Sequence, residues 1–424
     1  MGYRSLESSR SVFIRAFYCM VATLVSARDP QEKYQDPVNP MTLYQFLEAV
    51  INVVIFLLGA CVGSFLNVAI YRLPLGMSVN QPRRSFCPNC KEQIPWYLNI
   101  PIYSWISLRG KCARCKVPIS PRYLTVEAVT GVFFLFVWLW FPWNPVVLAY
   151  WVLISLLMVA FFVDLDHYII PDEVTIGGTV SGLVFSIIFP SMMLGQSIWW
   201  KGFLWSLGGA AFGFGILWMI VELGKLAFGK LRKEFDEPEE LVACQDDEEE
   251  EPVVTVAGER YYWSELFFRK SDRLVIDCEE VKILGEGGKA IADYGAAEVT
   301  ARGGGFSVKV EGGGEGEAPE HPLESVEKLE AKVTRLVIPR EAMGFGDVKL
   351  MAAVGAFLSW KAVLFTIFAG AVFGMAIAVP ARITGRQEWA AKIPFGPYLV
   401  AGAVLWLFFG ERIVDWYFRL SIGG

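Results

Sequence analysis

The sequence predicts an α-helical polytopic membrane protein of about eight transmembrane helices, with a small cytoplasmic loop domain and an inserted β-rich soluble domain. Three observations predict it. Hydrophobic residues make up 54% of the 424-residue chain and charged residues only 19%, with a mean hydropathy of +0.41; a soluble domain is about 45–50% apolar, glycine included. The apolar residues fall in runs of bilayer-spanning length, roughly 20 residues each. The charges are segregated: Lys230 to Arg340 holds 27 acidic and 15 basic residues, net −12, while the remainder holds 17 acidic and 23 basic, net +6. A mildly basic membrane body and an acidic soluble insert are thus joined in one chain. No basic stripe points to nucleic acid.

Residues 1–40 are polar and Arg-containing, with one apolar stretch, SVFIRAFYCMVATLVSA, broken by Arg15. That is a poor signal peptide. Met41 offers a second start, so residues 1–40 are expected to be a dispensable extension. Spans are predicted at 48–72, 124–142, 145–163, 174–194, 201–223, 347–360, 361–380 and 395–411. The sixth is short, and its small residues suit close helix packing. The resulting blocks are a first transmembrane segment (41–72), a cysteine loop (73–123), helices two to five (124–223), the insert (224–343) and helices six to eight (344–424).

Orientation follows from Lys and Arg. The loop after the first span carries Arg72, Arg83, Arg84, Lys91, Arg109, Lys111, Arg114, Lys116 and Arg122; the loop before the eighth carries Arg382, Arg386 and Lys392. Alternating spans put both on one face, which is therefore expected to be cytoplasmic. The uncharged connections FPWNP and SMMLGQSIWW fall on the other. The insert lands on the cytoplasmic side. Its acidic runs EFDEPEE and DDEEEE read as a solvated linker, VVTV, RYYW, RLVID and FSVKV as strands, and LESVEKLEAKVTRL as a helix.

The loop after the first span reads CPNC, then 21 residues, then CARC. Two such knuckles can set Cys87, Cys90, Cys112 and Cys115 tetrahedrally around Zn²⁺. Two disulfides are the alternative, and a reducing cytoplasm weighs against them. Four thiolates leave no open coordination position, so such a metal would be structural, folding a loop too small to hold itself together. Cys19, Cys61, Cys244 and Cys278 read as ordinary thiols.

The third span ends VAFFVDLDHYIIPDEVTI. Asp164 follows the apolar run directly; Asp166, Asp172 and Glu173 are explained as interfacial groups, and Asp172 also as the cap of the next helix. Asp347, in GFGDVKL, has a plain explanation in the helix dipole. It also has a functional one: Gly344 and Gly346 free the backbone to bend toward another helix, and Asp164 ends a helix on the same face. Two adjacent carboxylates share a proton, as an aspartic protease requires. The two histidines, His167 and His321, make a His-dependent triad a poor fit, since His321 lies in the insert.

With these residues in place, the chain resembles the type IV prepilin peptidases. The resemblance runs through GSFLNVAIYRLP, CPNC, NIPIYSWISLRGKCARC, RYLTVE, VDLDHYIIPD, GFGDVKL and IPFGPYLVAG, in order, over most of residues 41–411 except the insert. It implies a GxGD-type aspartic endopeptidase of the bacterial inner membrane, multi-pass and with its active site facing the cytoplasm. Such enzymes cut the leaders of prepilins or type II secretion pseudopilins. It implies Asp164 and Asp347 as the catalytic dyad. It also implies N-methylation of the new terminus from S-adenosylmethionine, associated with the cysteine loop; the cofactor-binding residues are not located by spacing. The family joins the fifth and sixth spans by a brief loop, where this chain carries about a hundred residues. Gating, docking of a pilus or secretion assembly protein, or neither, are the roles open to them. Competing assignments are a proton-coupled transporter, disfavoured by acids at one face and no inverted repeat, a zinc scaffold without protease activity, and a preflagellin-type GxGD protease, disfavoured by the cysteine loop.

Overall fold

The computed structural model describes residues 40–81, 85–87, 89–228, 230–245, 252–267, 273–285, 289–310, 319–339, 344–383 and 394–422. The extension 1–39, Cys19 and the DDEEEE run lie outside them. The chain divides into two compact units, one of residues 1–217 with 345–424, the other of residues 218–344.

In the first unit α1 (Pro40–Arg72) leads into a cysteine-bearing loop with a short helix α2 (Tyr103–Ser107). Then follow α3 (Arg122–Trp140), α4 (Val147–His167), α5 (Asp172–Ile188) and α6 (Trp199–Phe228). After the insert come α8 (Phe345–Ile383), α9 (Gly396–Leu405), a π-turn over Trp406–Gly410, and α10 (Glu411–Ile422). Among the described residues six helices are long and apolar enough to cross a membrane: α1, α3, α4, α6, α8 and the α9–α10 run. The region read as a fourth span is α5, whose 17 residues reach only about 26 Å, short of the roughly 30 Å hydrocarbon core. The runs 347–360 and 361–380 are the two halves of α8, parted by a kink at Ser359 (φ 74°, ψ 173°).

The helices meet through small residues, as membrane helices do where packing rather than water drives association. A Cβ on Gly209 of α6 would sit 2.3 Å from the Gly355 carbonyl oxygen of α8, and one on Gly213 would sit 2.2 Å from that of Met351. Ser206 Oγ donates to the Ala356 carbonyl at 2.7 Å in the same interface. Backbone contact this close fixes the first half of α8, and with it Asp347.

The second unit is a nine-stranded antiparallel sheet ordered β3-β2-β1-β9-β4-β6-β7-β8, with β5 on β4. Its strands are β1 (Lys230–Gln245), β2 (Pro252–Val256), β3 (Glu259–Tyr262), β4 (Leu274–Gly285), β5 (Lys289–Tyr294), β6 (Ala297–Arg302), β7 (Gly305–Val310), β8 (Glu320–Pro322) and β9 (Lys328–Pro339); the one-turn helix α7 (Trp263–Leu266) follows β3. Leu241, Val254, Ile276, Val299, Val308 and Leu329 lie in its core. The four strand-like segments read from sequence are β2, β3, β4 and β7.

Two expectations are corrected. EFDEPEE is not a linker but part of β1, where the register against β9 jumps between Glu234 and Glu239; the bulge accommodates Pro238 where a regular ladder would not. LEAKVTRL is not helical but lies in β9. Leu329, Ala331 and Val333 are buried alternately, then Leu336 and Ile338, because Thr334 is skipped in the pairing with β1. That one-residue shift turns a period of two into Leu329, Val333 and Leu336, which is a helical spacing. Lys230 pairs with Pro339, so the insert begins and ends on neighbouring strands.

Candidate active site and metal centre

The two cysteine knuckles are built alike. In the first, Cys87 N–H donates to the Glu92 carbonyl (3.0 Å) and Lys91 N–H to the Cys87 carbonyl (2.8 Å); in the second, Cys112 N–H donates to Val117 (2.9 Å) and Lys116 N–H to Cys112 (3.1 Å). The residue after each second cysteine, Lys91 (φ 55°) and Lys116 (φ 60°), takes the left-handed conformation that turns the chain back around the sulfurs. All four are free cysteines, and their Sγ atoms lie within 4.8 Å of one another. Cys87 and Cys115 Sγ are 3.8 Å apart, which is also about the edge of a sulfur tetrahedron with 2.3 Å metal–sulfur bonds. The Val117 backbone N–H and the Asn89 side chain bring the Cys115 thiol down to about 6. At Cys90 the Glu92 backbone N–H acts the same way, but burial and the adjoining thiols prevail and push it up to about 11. Four sulfurs this close could hold a metal ion between them, and the donor set fits Zn²⁺.

The carboxylates of VDLDHYIIPD and GFGD separate into two kinds. Asp166 pairs with Arg122 at the start of α3. Asp172, the first residue of α5 rather than its cap, pairs with Lys349 Nζ of α8 at 2.5 Å. Glu173 is exposed in the same turn. Asp164 and Asp347 are buried, at 5% and 6% exposure, and neither has a cation partner among the described residues. Asp164 Oδ2 accepts the backbone N–H of Gly396 at 3.0 Å. Asp347 Oδ1 is buried with no hydrogen-bond partner among the described residues.

Ile170, in the α4–α5 turn, draws these elements together. A Cβ on Gly346 would lie 3.0 Å from Ile170 Cβ, and one on Gly396 would lie 3.2 Å from Ile170 Cδ1. The α4 helix stops at Tyr168 in the left-handed region (φ 57°), which turns the chain so that Ile170 can enter. Gly346 sits inside the first turn of α8, so its service is a missing Cβ against Ile170, not the backbone bend expected from GFG. The sequence placed Asp164 and Asp347 as candidates; it did not reveal the Gly396 donor, the Ile170 contact or the Lys349 pair. The one signal for Gly396 was a glycine between Phe395 and Pro397 at the start of an apolar helix. His167 ends α4 exposed, and His321 Nε2 meets Tyr294 Oη at 3.3 Å inside the insert.

Two family models match the chain. The Bacterial Peptidase A24 N-terminal domain covers residues 57–141, and the Type IV leader peptidase family covers residues 151–230 and 329–379. The second match is interrupted over residues 231–328, within the insert. The chain is 44% identical over 162 residues to a prepilin leader peptidase/N-methyltransferase of Myxococcus xanthus, covering 38% of this chain and 45% of that one. It is 34% identical to one of Klebsiella pneumoniae over 183 residues, 42% of this chain and 75% of the relative. A protein of the same description from Aeromonas hydrophila is 24% identical over 390 residues, 86% of this chain and 92% of the other. No solved structure matches.

Proposed function

The chain belongs to the type IV leader peptidase family, and from that premise we propose that it is a membrane aspartic endopeptidase acting on prepilins or type II secretion pseudopilins. We further propose that it N-methylates the terminus it creates. The observation that carries the peptidase assignment is the pair of buried carboxylates, Asp164 and Asp347, held around Ile170 and Gly396 with no cation partner among the described residues. Neighbouring acids in the same motifs are neutralised by Arg122 and Lys349.

Asp164, already the acceptor of a backbone N–H, serves as the base. It takes a proton from water as the water oxygen attacks the scissile carbonyl carbon, and Asp347 delivers its proton to the carbonyl oxygen. Collapse of the diol returns a hydroxyl proton to Asp347. The C–N bond breaks, and the proton on Asp164 passes to the leaving amine. That amine is the new N-terminus. S-Adenosylmethionine, when bound, supplies an electrophilic methyl group that the amine can take up with loss of a proton.

Zn²⁺ held by Cys87, Cys90, Cys112 and Cys115 has a structural role, since four thiolates close its coordination shell. Replacing all four by Ser is expected to remove about one metal ion per chain, read by elemental analysis of the purified protein; unchanged metal content rejects the site. The basic loops support a cytoplasmic, inner-membrane orientation for the site and the insert.

The assignment is tested by reconstituting the chain in lipid with a prepilin and weighing the products. A shortened pilin one methyl heavier at its new N-terminus is expected; an uncut pilin overturns the proposal. The same assay measures the insert. Because Lys230 and Pro339 are register partners, a deletion of residues 232–338 joins positions that already lie side by side. Cleavage is expected to keep its kcat/KM to within about twofold, whereas a gate would show itself as a larger change.

A further inference from the structure

The sequence of α10, ERIVDWYFRLSI, differs in kind from the apolar helices before it. With about 3.6 residues per turn, Glu411, Arg412, Asp415 and Arg419 share one side. Ile413, Trp416, Tyr417 and Leu420 share the other, at the i, i+3, i+4 and i+7 spacing of an amphipathic helix; Val414 and Phe418 flank it. The charges cancel, two acidic against two basic, and Asp415 stands four residues before Arg419, the order that supports a helix. An apolar side of this kind is ordinarily covered by other protein. Here Trp416, Tyr417 and Leu420 are 62%, 61% and 63% exposed.

Contacts along the run place α10 relative to the bundle. Gly396, the first residue of α9, donates to Asp164, so the run starts at the dyad end. Arg122, the first residue of α3, pairs with Asp166 at that same end, which makes Trp140 the far end of α3. The Arg412 guanidinium lies 4.9 Å from the Trp140 ring centroid. Phe408 and Phe409 pack against the same indole, with centroids 5.9 and 5.2 Å away. Between Gly396 and Arg412 the run has therefore passed the whole of α3, and the crossing ends where α10 begins. The 12 residues of α10 reach only about 18 Å, too short to cross again. The π-turn over Trp406–Gly410 interrupts the helical ladder at this exit, and helices bend at such turns.

We propose that α10 is a docking surface for lipid. It lies along the membrane interface at the end of the bundle opposite the dyad, with Ile413, Trp416, Tyr417 and Leu420 set into the acyl boundary and the charged side toward water. Continuity selects this occupant: a run long and apolar enough to cross the membrane leads straight into α10, and the uncovered apolar side starts at the level where the crossing ends. Trp and Tyr suit that boundary, because their rings are apolar while the indole N–H and phenol O–H stay hydrated. Since the charges cancel, apolar burial rather than attraction to anionic headgroups holds the helix, and a zwitterionic membrane suffices. Set there, α10 fixes how deep the run that carries Gly396 stands in the bilayer.

The test uses the full chain in lipid nanodiscs. A phosphatidylcholine with a photoreactive diazirine in the upper part of its acyl chain is expected to label Trp416, Tyr417 and Leu420 of the unaltered protein and to leave Asp415 and Arg419 unlabelled. That measurement does not depend on any variant folding. In a second one, a fluorescent amino acid replaces Trp416, Leu420 or Arg419 in turn. Lipid bromines near the headgroups are expected to dim the first two about twofold or more, as a depth of about 5–10 Å requires, and bromines at the chain ends to dim them less. The probe at position 419 is expected to respond to aqueous iodide instead. Absence of lipid adducts on α10, with iodide reaching positions 416 and 420, overturns the proposal in favour of a helix standing in water. Stronger quenching by the deep bromines at all three positions overturns it in favour of a further crossing. Crosslinks from positions 416 and 420 to a second copy, without lipid adducts, overturn it in favour of a dimer.

Discussion

Asp164→Asn and Asp347→Asn are each expected to lower prepilin cleavage by on the order of 10³-fold or more, and the double variant to be no slower than either single one. The magnitude follows from removing an acid or base that contributes about 10²–10⁴ to a proton-transfer step, compounded because the two carboxylates act on one water and one carbonyl. The lack of additivity follows from the same coupling: once one member is gone, the other has no partner to exchange protons with. Asparagine keeps the shape and an acceptor oxygen for the Gly396 N–H, so the helices should keep their packing. Asp166→Asn and Asp172→Asn provide the contrast. Each loses a cation partner at a half-exposed or exposed position, where such pairs contribute about 0–1 kcal/mol; their cleavage rates should stay within about tenfold of the parent. Single-turnover rates on a saturating prepilin peptide decide the matter. Full-rate cleavage by either dyad variant, or an equal collapse of all four, would remove the dyad assignment.

What could be read from the sequence divides along a physical line. The cysteine quartet was legible because a metal knuckle is local: its ligands stand three apart, and the hydrogen bonds that shape it close within one turn of chain. The apolar helices were legible because a bilayer imposes length and composition on each one separately. Asp164 and Asp347 were legible as individual acids next to apolar runs. Their pairing, across 183 positions of sequence, was an inference from topology and family resemblance.

The features that escaped are those in which two distant segments share one group. Gly396 donates to Asp164 from 232 residues away, and Lys349 reaches Asp172 across 177; neither leaves a periodic trace in its own segment. The misread helix over LEAKVTRL failed for a related reason. Strand periodicity is two only while pairing is regular, and the skipped Thr334 moved the buried positions onto a helical spacing. The bulge is set by β1 and β4 on either side of β9, which local pattern does not contain.

Gly396 is the position where the site is least tolerant. A Cβ there would stand 2.6 Å from Asp164 Oδ2 and 3.0 Å from its Cγ, while the N–H of the same residue donates to that oxygen at 3.0 Å. One residue therefore has to bring its backbone to a carboxylate and present nothing else, which only glycine does. In Gly396→Ala the carboxylate must move by several tenths of an ångström or lose the hydrogen bond. Either change displaces the base from the attacking water, and misplacement on the order of 1 Å costs about 10²-fold in rate. We expect kcat to fall by that factor with KM little changed, because the substitution displaces the base rather than removing a ground-state contact. S-Adenosylhomocysteine binding and metal content should stay at parental levels. The adjacent Pro397→Ala, which adds no atom toward Asp164, separates a steric effect at the carboxylate from a general loosening of the start of α9. If Gly396→Ala retains the parental kcat, or if Pro397→Ala loses as much, the close approach of this backbone to Asp164 is not what positions the base.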